Sequence, residues 1–330
     1  MKLGTIGTGF IVSNILDGVM QTEGITLEAV YSRSYEKGKA LADKYSCQKV
    51  YTVLTDLLED PEVNFVYVAS PNSLHFEQAK LALEYGKNVI CEKPFVTSRV
   101  KAEELIALAE AKGLFLFDAV PPSFLPNWQY LADALPELGR LRLVMSNFSQ
   151  YSSRYDALLS GEIPNVFSLE FAGGCLQDIN FYNLYFNIAM FGKPEKAVYY
   201  PNLRPGCADT SGVLMLQYPD FLSTNAGAKD CKGINFLQIE GENGYIWVED
   251  GTAGVAQITV QTRKGTRRSD RQASEDRWLL EVRKIVEIVR RNDRAECRRR
   301  LNVTLDVMEI LEQVRKDAGI RFPADAEDFL

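Results

Sequence analysis

The sequence predicts an α/β N-terminal domain built on a doubly wound parallel sheet, followed by an α+β C-terminal domain with a large open, mostly antiparallel sheet. Three observations carry that expectation. Short apolar runs alternate with helical apolar patterns through the first third of the chain. A glycine turn, Gly7-Thr8-Gly9, joins the first run to the first helix. After Pro121, Pro122 and Pro126 the runs follow one another with short turns and few helices between them. The boundary is placed at these prolines, giving domains 1–120 and 121–330.

Lys2 to Ile6 reads as the first strand, and two apolar rows at helical spacing, Ile11, Ile15, Val19 and Val12, Leu16, Met20, follow the glycine turn. A strand, a glycine turn and a helix let the N–H groups of the helix start, at Phe10 and Ile11, approach a pyrophosphate. A third glycine for close helix packing is missing, since Val12 stands there, so a plain tight turn remains a second reading. Thr26 to Tyr31 is the second strand and ends in Ser32-Arg33-Ser34. With no carboxylate for ribose hydroxyls, and with Ser32 and Arg33 suited to a 2'-phosphate, this tip points to NADP, with NAD as the alternative; a surface turn with one arginine is the other reading. A helix over 35–45, a short strand at 49–51 and a helical turn near Asp56 precede a buried strand, Phe65 to Ala69. Ser70-Pro71-Asn72 ends that strand, and the next helix carries His75, which alone reads as a helix-end histidine with a structural hydrogen bond. Asn88 to Cys91 is the fifth strand, a helix spans about 98–112, and the sixth strand is expected at Leu114 to Phe117.

Beyond the prolines, strands are expected at 140–150, 197–200, 212–218, 221–227, 234–240, 244–249 and 256–262. One helix, from Asp178 to Phe191, interrupts them, and two helices, near 275–291 and 295–317, close the chain.

Composition narrows the function. The 330 residues are 46% hydrophobic and 25% charged, the balance of a folded enzyme rather than a disordered chain. No run of about 18 apolar residues exists, and the N-terminus enters a strand at once, so a cytoplasmic protein with no membrane partner is expected. Six scattered cysteines without a Cys-x-x-Cys pair and a single histidine argue against disulfides and a zinc centre, and no metal is expected. A net charge of -7 disfavours nucleic acid. Two basic clusters, Arg263–Arg271 and Arg290–Arg300, read as solvated or inter-subunit surface.

Glu92-Lys93-Pro94 puts a lysine at a strand's carboxyl edge, where open α/β sheets bind ligands and where partial burial fits an ammonium for proton transfer; taken alone, the dipeptide reads rather as a solvated loop lysine, and the motifs around it reverse that reading. Asp178 and Tyr182 stand four residues apart at a helix start and share a face, after Gly173 and Gly174, which allow close approach of a ligand. Asn180 and Asn183 suit a hydroxyl-rich partner. Asp178 reads alternatively as a helix N-cap.

These motifs, Gly7-Thr8-Gly9, Pro71-Asn72-Ser73-Leu74-His75, Glu92-Lys93-Pro94 and Gly173-Gly174-Cys175-Leu176-Gln177-Asp178, occur in the order of the glucose-fructose oxidoreductase, inositol dehydrogenase and MocA (Gfo/Idh/MocA) family, which the chain resembles along its whole length. The resemblance implies an N-terminal Rossmann domain, and a C-terminal domain that binds substrate and associates subunits into a homodimer or homotetramer. It implies that Gly7 and Gly9 hold the pyrophosphate, that Pro71, Asn72, His75 and Glu92 line the nicotinamide, and that Lys93 is catalytic. Asp178 and Tyr182 match the family's catalytic Asp-x-Gly-x-His/Tyr pattern, with Asn180 at the glycine. Val120-Pro121-Pro122-Ser123-Phe124 replaces the family's Met-Trp-x-Arg-Phe, so the pocket wall should differ. The expected activity is NADP-dependent hydride transfer to or from the secondary alcohol or carbonyl carbon of a sugar, polyol or diol. The rival is a regulator of the same fold that binds NAD(P) without turnover.

Overall fold

The computed structural model describes residues 1–272 and 276–325, which fall into two units, 1–124 with 276–305 and 125–272 with 306–325. The first unit contains β1 (Lys2–Ile6), α1 (Phe10–Val19), β2 (Thr26–Tyr31), α2 (Tyr35–Lys44), β3 (Lys49–Tyr51), α3 (Leu54–Glu59), β4 (Phe65–Val68), α4 (His75–Glu84), β5 (Asn88–Glu92), α5 (Arg99–Ala111) and β6 (Leu116–Ala119). All its strands are parallel, in the order β3-β2-β1-β4-β5-β6. The order reverses between β1 and β4, and the carboxyl ends of strands at such a switch point form a ligand crevice. β4 is buried at every residue, which explains its unbroken apolar run. The sixth strand starts later than the sequence suggests: Gly113 adopts φ +65° and Leu114 N–H donates to Ala109 O at 2.8 Å, so the helix exit uses the first residues of that run. Asp118 thereby becomes a strand residue.

The second unit contains α6 (Pro126–Ala134), β7 (Leu141–Ser149), α7 (Tyr155–Leu159), α8 (Phe181–Phe191), β8 (Lys196–Asn202), β9 (Ser211–Gln217), β10 (Leu222–Ala228), β11 (Phe236–Gly241), β12 (Gly244–Glu249), α9 (Gly251–Gly254), β13 (Ile258–Thr262) and β14 (Gly265–Ser269). Its eight strands run β14-β13-β12-β11-β7-β10-β9-β8, and every neighbouring pair is antiparallel except β7 with β10. β14 was not expected. It lies inside the first basic cluster, where Arg267 is tied down by Glu137 at 2.6 Å and by the Tyr130 hydroxyl at 3.0 Å. The helix expected at Asp178 is broken in two: a π-turn, Leu176–Asn180, precedes α8.

Two helices close the chain, α10 (Arg277–Arg290) and α11 (Arg294–Asp317). Among the described residues α10 belongs to the first unit, which differs from the single boundary expected at 120. The reason is an apolar face, Leu279, Val282, Ile285 and Val286, laid against α1. Contact is close enough that a Cβ at Gly18 would come within 3.1 Å of the Leu279 backbone. The second basic cluster is also used internally: the Arg294 guanidinium lies 3.9 Å from the Phe115 ring centre and Arg298 pairs with Glu110 at 2.6 Å. No helix of the described residues is long and apolar enough to cross a membrane.

At the end of α11, Arg315 is fully buried, donates to both Asp325 oxygens at 2.7 Å and to Ile320 O at 3.0 Å, and lies over the Phe322 ring. A buried ion pair is costly to break from one side, because the remaining charge keeps its desolvation penalty. Arg315→Ala is therefore expected to lower the stability of the second unit by about 3–5 kcal/mol in urea unfolding. Adding Asp325→Leu to an Arg315→Met background should recover part of the loss, and full additivity of the two changes would show that the pair is not coupled.

Candidate active site

In the first unit the site is built at the carboxyl ends of β1, β2, β4 and β5. Gly7 has φ +114°, and a Cβ there would lie 2.5 Å from Ala69 O, so glycine is required by the fold. Gly9 is different. It has ordinary extended backbone, φ -77° and ψ 175°, and a Cβ would meet nothing within 4 Å. Neither backbone nor packing demands glycine at 9, whereas a ligand lying against the start of α1 would. No side chain caps α1, so its first N–H groups, in the stretch from Phe10 and Ile11, face an approaching anion without competition from an N-cap. Thr8 is half-buried between the glycines, and Phe10 is 76% exposed. These features fit a dinucleotide pyrophosphate.

At the end of β2, Ser32 is buried and its Oγ accepts from Ser34 N–H at 3.3 Å, while Ser34 caps α2 by accepting from Lys37 N–H. Arg33 is exposed and makes no ion pair with any described residue. The turn thus presents a guanidinium with its hydrogen-bonding capacity unspent.

After β4, Ser70 and Pro71 lead into a short 3-10 turn, Asn72–Leu74, and Ser70 Oγ is buried with no partner among the described residues. His75 turns inward. It is buried, with Nδ1 3.0 Å from Pro94 O and Nε2 2.9 Å from Ser70 O, and so ties the loop after β4 to the loop after β5. What the structure shows of His75 is a ring that positions these two loops; the cofactor-lining role implied for it stays a proposal. Burial pushes its pKa below the ordinary value, against the opposing pull of the carbonyls of Pro94, Ser70 and Phe95.

Glu92 is buried and is held from two sides: the Tyr67 hydroxyl donates to Oε1 at 2.5 Å, and the Lys93 backbone N–H donates to Oε2 at 3.2 Å. Its carboxylate is thus used to fix the main chain at Lys93. The following Lys93-Pro94 peptide is cis, and the Lys93 side chain is half-buried.

In the second unit, Gly173 and Gly174 serve packing rather than a ligand. A Cβ at Gly173 would lie 2.6 Å from Asn165 O, and one at Gly174, with φ +118°, would lie 2.3 Å from Asp209 Oδ1. Asn180 and Asn183 likewise turn inward, fully buried: Asn180 Nδ2 donates to Asn225 O at 3.1 Å, and Asn183 Nδ2 to Asn180 Oδ1 at 2.9 Å. The expectation that they meet a hydroxyl-rich partner is corrected by that burial.

Asp178 lies within the π-turn and caps neither helical segment. Its Oδ2 accepts from Lys229 Nζ, whose side chain is only 4% exposed against 36% for Asp178. Lys229 also lies 5.5 Å from the Phe167 ring centre. At the start of the π-turn, Leu176 N–H donates to Asp209 Oδ2 at 2.7 Å, and the Tyr199 hydroxyl donates to the same oxygen at 2.6 Å. Burial raises the Asp209 pKa to about 6, with those hydrogen bonds acting in the opposite sense. Tyr182 is half-buried, its ring edge-on to Phe148 and Phe181. Sequence reasoning missed Lys229 and Asp209, which lie at the end of β10 and before β9. Among the described residues no group of three or more His, Cys, Asp or Glu is arranged to hold a metal.

Comparison with known proteins gives the family and the fold. Residues 1–119 match the model of an oxidoreductase family with an NAD-binding Rossmann fold, GFO_IDH_MocA. The chain is 33% identical to an uncharacterized oxidoreductase, YgjR, of Escherichia coli (strain K12), over 99% of both chains. It is 32% identical to scyllo-inositol 2-dehydrogenase (NADP(+)) IolU of Bacillus subtilis (strain 168), over 98% of this chain and 99% of that one. A 3-ketoreductase from Actinomadura kijaniata, solved with NADP and TDP-benzene, shares the fold with a TM-score of 0.83 at 21% identity, covering 96% of this chain and 97% of that chain.

The His75 geometry fixes a sign. With its folded pKa below the unfolded value of about 6.5, the unfolded chain takes a proton that the native state refuses. Its stability contribution is present above pH about 6.5 and is lost as pH falls through the folded value. Urea unfolding at pH 7.5 and 5.5 should show a larger acid loss for the parent than for His75→Gln, by up to about 1.4 kcal/mol per pH unit. Equal losses would mean that the fold does not lower the pKa of the imidazole.

Proposed function

This chain belongs to the Gfo/Idh/MocA family of oxidoreductases, and on that premise we propose that it passes a hydride between NADP(H) and the secondary alcohol or carbonyl carbon of a sugar, polyol or related diol. It is an enzyme of the NAD(P)-dependent dehydrogenase class, with a nicotinamide dinucleotide as cofactor. The observation that carries the NADP reading is the tip of β2: an exposed Arg33 without an ion pair, beside Ser32, and no carboxylate in Ser32-Arg33-Ser34 to greet ribose hydroxyls. Gly7 and Gly9 with the start of α1 hold the pyrophosphate, and Pro71 and Asn72 stand at the switch point where the nicotinamide end belongs.

When bound, the nicotinamide supplies the hydride chemistry, and the protein supplies orientation and proton handling. Lys93, held at the end of β5 by Glu92, exchanges the proton of the reacting hydroxyl. Asp178 and Tyr182 are proposed as polar contacts to substrate hydroxyls. Lys229 fixes the Asp178 carboxylate in place as an acceptor.

A homodimer or homotetramer is proposed through the outer face of the eight-stranded sheet. On that face Leu143, Val213, Leu222 and Tyr245 are exposed in registered strands, with Phe236 stacked on Trp247. A second copy of the same sheet would bury it by the isologous contact usual for two-fold dimers. A cytoplasmic location suits six free thiols.

The test is a panel of sugars, polyols and diols with NADP and NAD, read by absorbance of the reduced nicotinamide. NADP should be preferred, and Arg33→Ala should remove about 1.5–3 kcal/mol of that preference in binding; equal affinity of the parent for both cofactors would overturn the assignment of Arg33. Dinucleotide binding without turnover of any panel member would favour a regulator.

The same panel separates the catalytic roles. Lys93→Met should keep cofactor affinity and lose about 100-fold to 10,000-fold in turnover. Tyr182→Phe and Asp178→Asn should each lose at least about tenfold in kcat/KM. Asp178→Asn should also cost about 1–3 kcal/mol of stability, since Lys229 loses its counter-ion at a partly wet site. Adding Lys229→Met should restore the stability and leave the activity low. Full activity of Asp178→Asn would move the substrate contact to other residues.

A further inference from the structure

Behind Lys93 the first unit buries three carboxyl groups that the reaction as described does not use as acids. Glu92 is committed to the Tyr67 hydroxyl and the Lys93 N–H. Asp118, on β6, stands opposite Cys91 of β5, two residues before Lys93 and so on the same side of the strand. It is 8% exposed, Oδ2 accepts from Thr304 Oγ1 at 3.0 Å, and Oδ1 has no partner among the described residues. Glu281, on α10, is fully buried, and neither of its oxygens has a hydrogen-bond partner there.

An ionised carboxylate without donors is not sustained in such a place, and like charges sharing it cannot all form. Glu92, with two donors, is the group suited to carry the charge; Asp118 and Glu281 are suited to keep their protons. The groups around them are few. Asp118 feels burial, Glu92 and Lys93, with the Thr304 hydrogen bond opposing the burial. Glu281 feels burial, Glu92 and Asp118, and more weakly Arg300 and Arg277. The Cys91 thiol and the Tyr67 hydroxyl are held neutral by burial and by the same carboxylates.

We propose that Asp118 is a positioning residue for the reaction: held as a neutral acid beside the strand end, it keeps a second negative charge away from Lys93 and so leaves the lysine able to give up its proton. This rests on the assignment of Lys93 as the proton-transfer group. A permanently charged Asp118 would hold the lysine as an ammonium and silence it as a base. Burial raises the Asp118 pKa to about 8, so the neutral form covers the neutral range and the charge returns only in mild alkali. Above that pH, the ionised Asp118 raises the pKa of Lys93 and delays the gain in alcohol oxidation.

Two measurements test it. The first needs no substrate: the infrared carboxyl band of the full chain, followed against pH, should contain a protonated component that disappears around pH 8 and is absent from Asp118→Asn. The second is the pH profile of kcat/KM for alcohol oxidation. Asp118→Asn should move its midpoint to lower pH by about one unit, the smaller end of what a neighbouring charge does. Thr304→Val removes the hydrogen bond that favours the ionised form; it should raise the pH at which the Asp118 band is lost and shift the profile the same way by less. A merely structural Asp118 predicts lower stability and a uniformly lower rate with the midpoint in place. No protonated band in the parent, or an unmoved midpoint in Asp118→Asn, overturns the proposal. Absence of turnover in the parent, with the band present, strikes instead at the substrate reading.

Discussion

In each unit a buried carboxylate accepts a main-chain N–H beside the residue to which chemistry is assigned. Glu92 accepts from Lys93 N–H, and Asp209 accepts from Leu176 N–H two residues before Asp178. Each is joined by a tyrosine hydroxyl, Tyr67 at 2.5 Å and Tyr199 at 2.6 Å. The shared device turns the cost of burying a charge into main-chain geometry: the anion stays only while its donors are in place, so the backbone that supplies them is held. Side chains projecting from that backbone inherit a fixed origin.

The electrostatic character of the two places differs. Around Lys93 the buried carboxyls of Asp118 and Glu281 keep oxygens without a partner among the described residues, so protons must remain on some of them. Around Asp178 the balance is reversed, because Lys229 brings a cation whose side chain is 4% exposed. Glycine follows the same economy of space: Gly7 and Gly174 are dictated by the fold, whereas Gly9 is dictated by nothing in the chain itself.

The first sheet was legible because parallel strands covered on both faces are written as unbroken apolar runs, as Phe65 to Val68 shows. β14 was not, since an edge strand spelled Gly-Thr-Arg-Arg-Ser carries no apolar alternation. The motifs placed Lys93, Asp178 and the glycine turn at the ends of elements. Their partners stayed hidden, because Lys229 lies 51 residues beyond Asp178 and Asp209 lies 33 beyond Leu176. Only strand pairing brings such residues together. Glu281 belongs to no motif, and only the packing of α10 within the first unit makes it a buried acid. Asn180 and Asn183 misled for a related reason: a π-turn rotates the helix face, so spacing alone sends them to the wrong side.

The return of α10 to the first unit bears on how the chain is made. Residues 1–124 leave the ribosome about 150 residues ahead of the helix that covers α1 at Gly18. At roughly 5–20 residues per second that is a wait of about 8–30 s. During it the nascent N-terminal sheet shows an apolar seam where Leu279, Val282 and Ile285 will later lie. Such a seam is the kind of surface that holdase chaperones cover, and a fragment ending at the first domain boundary would keep it permanently.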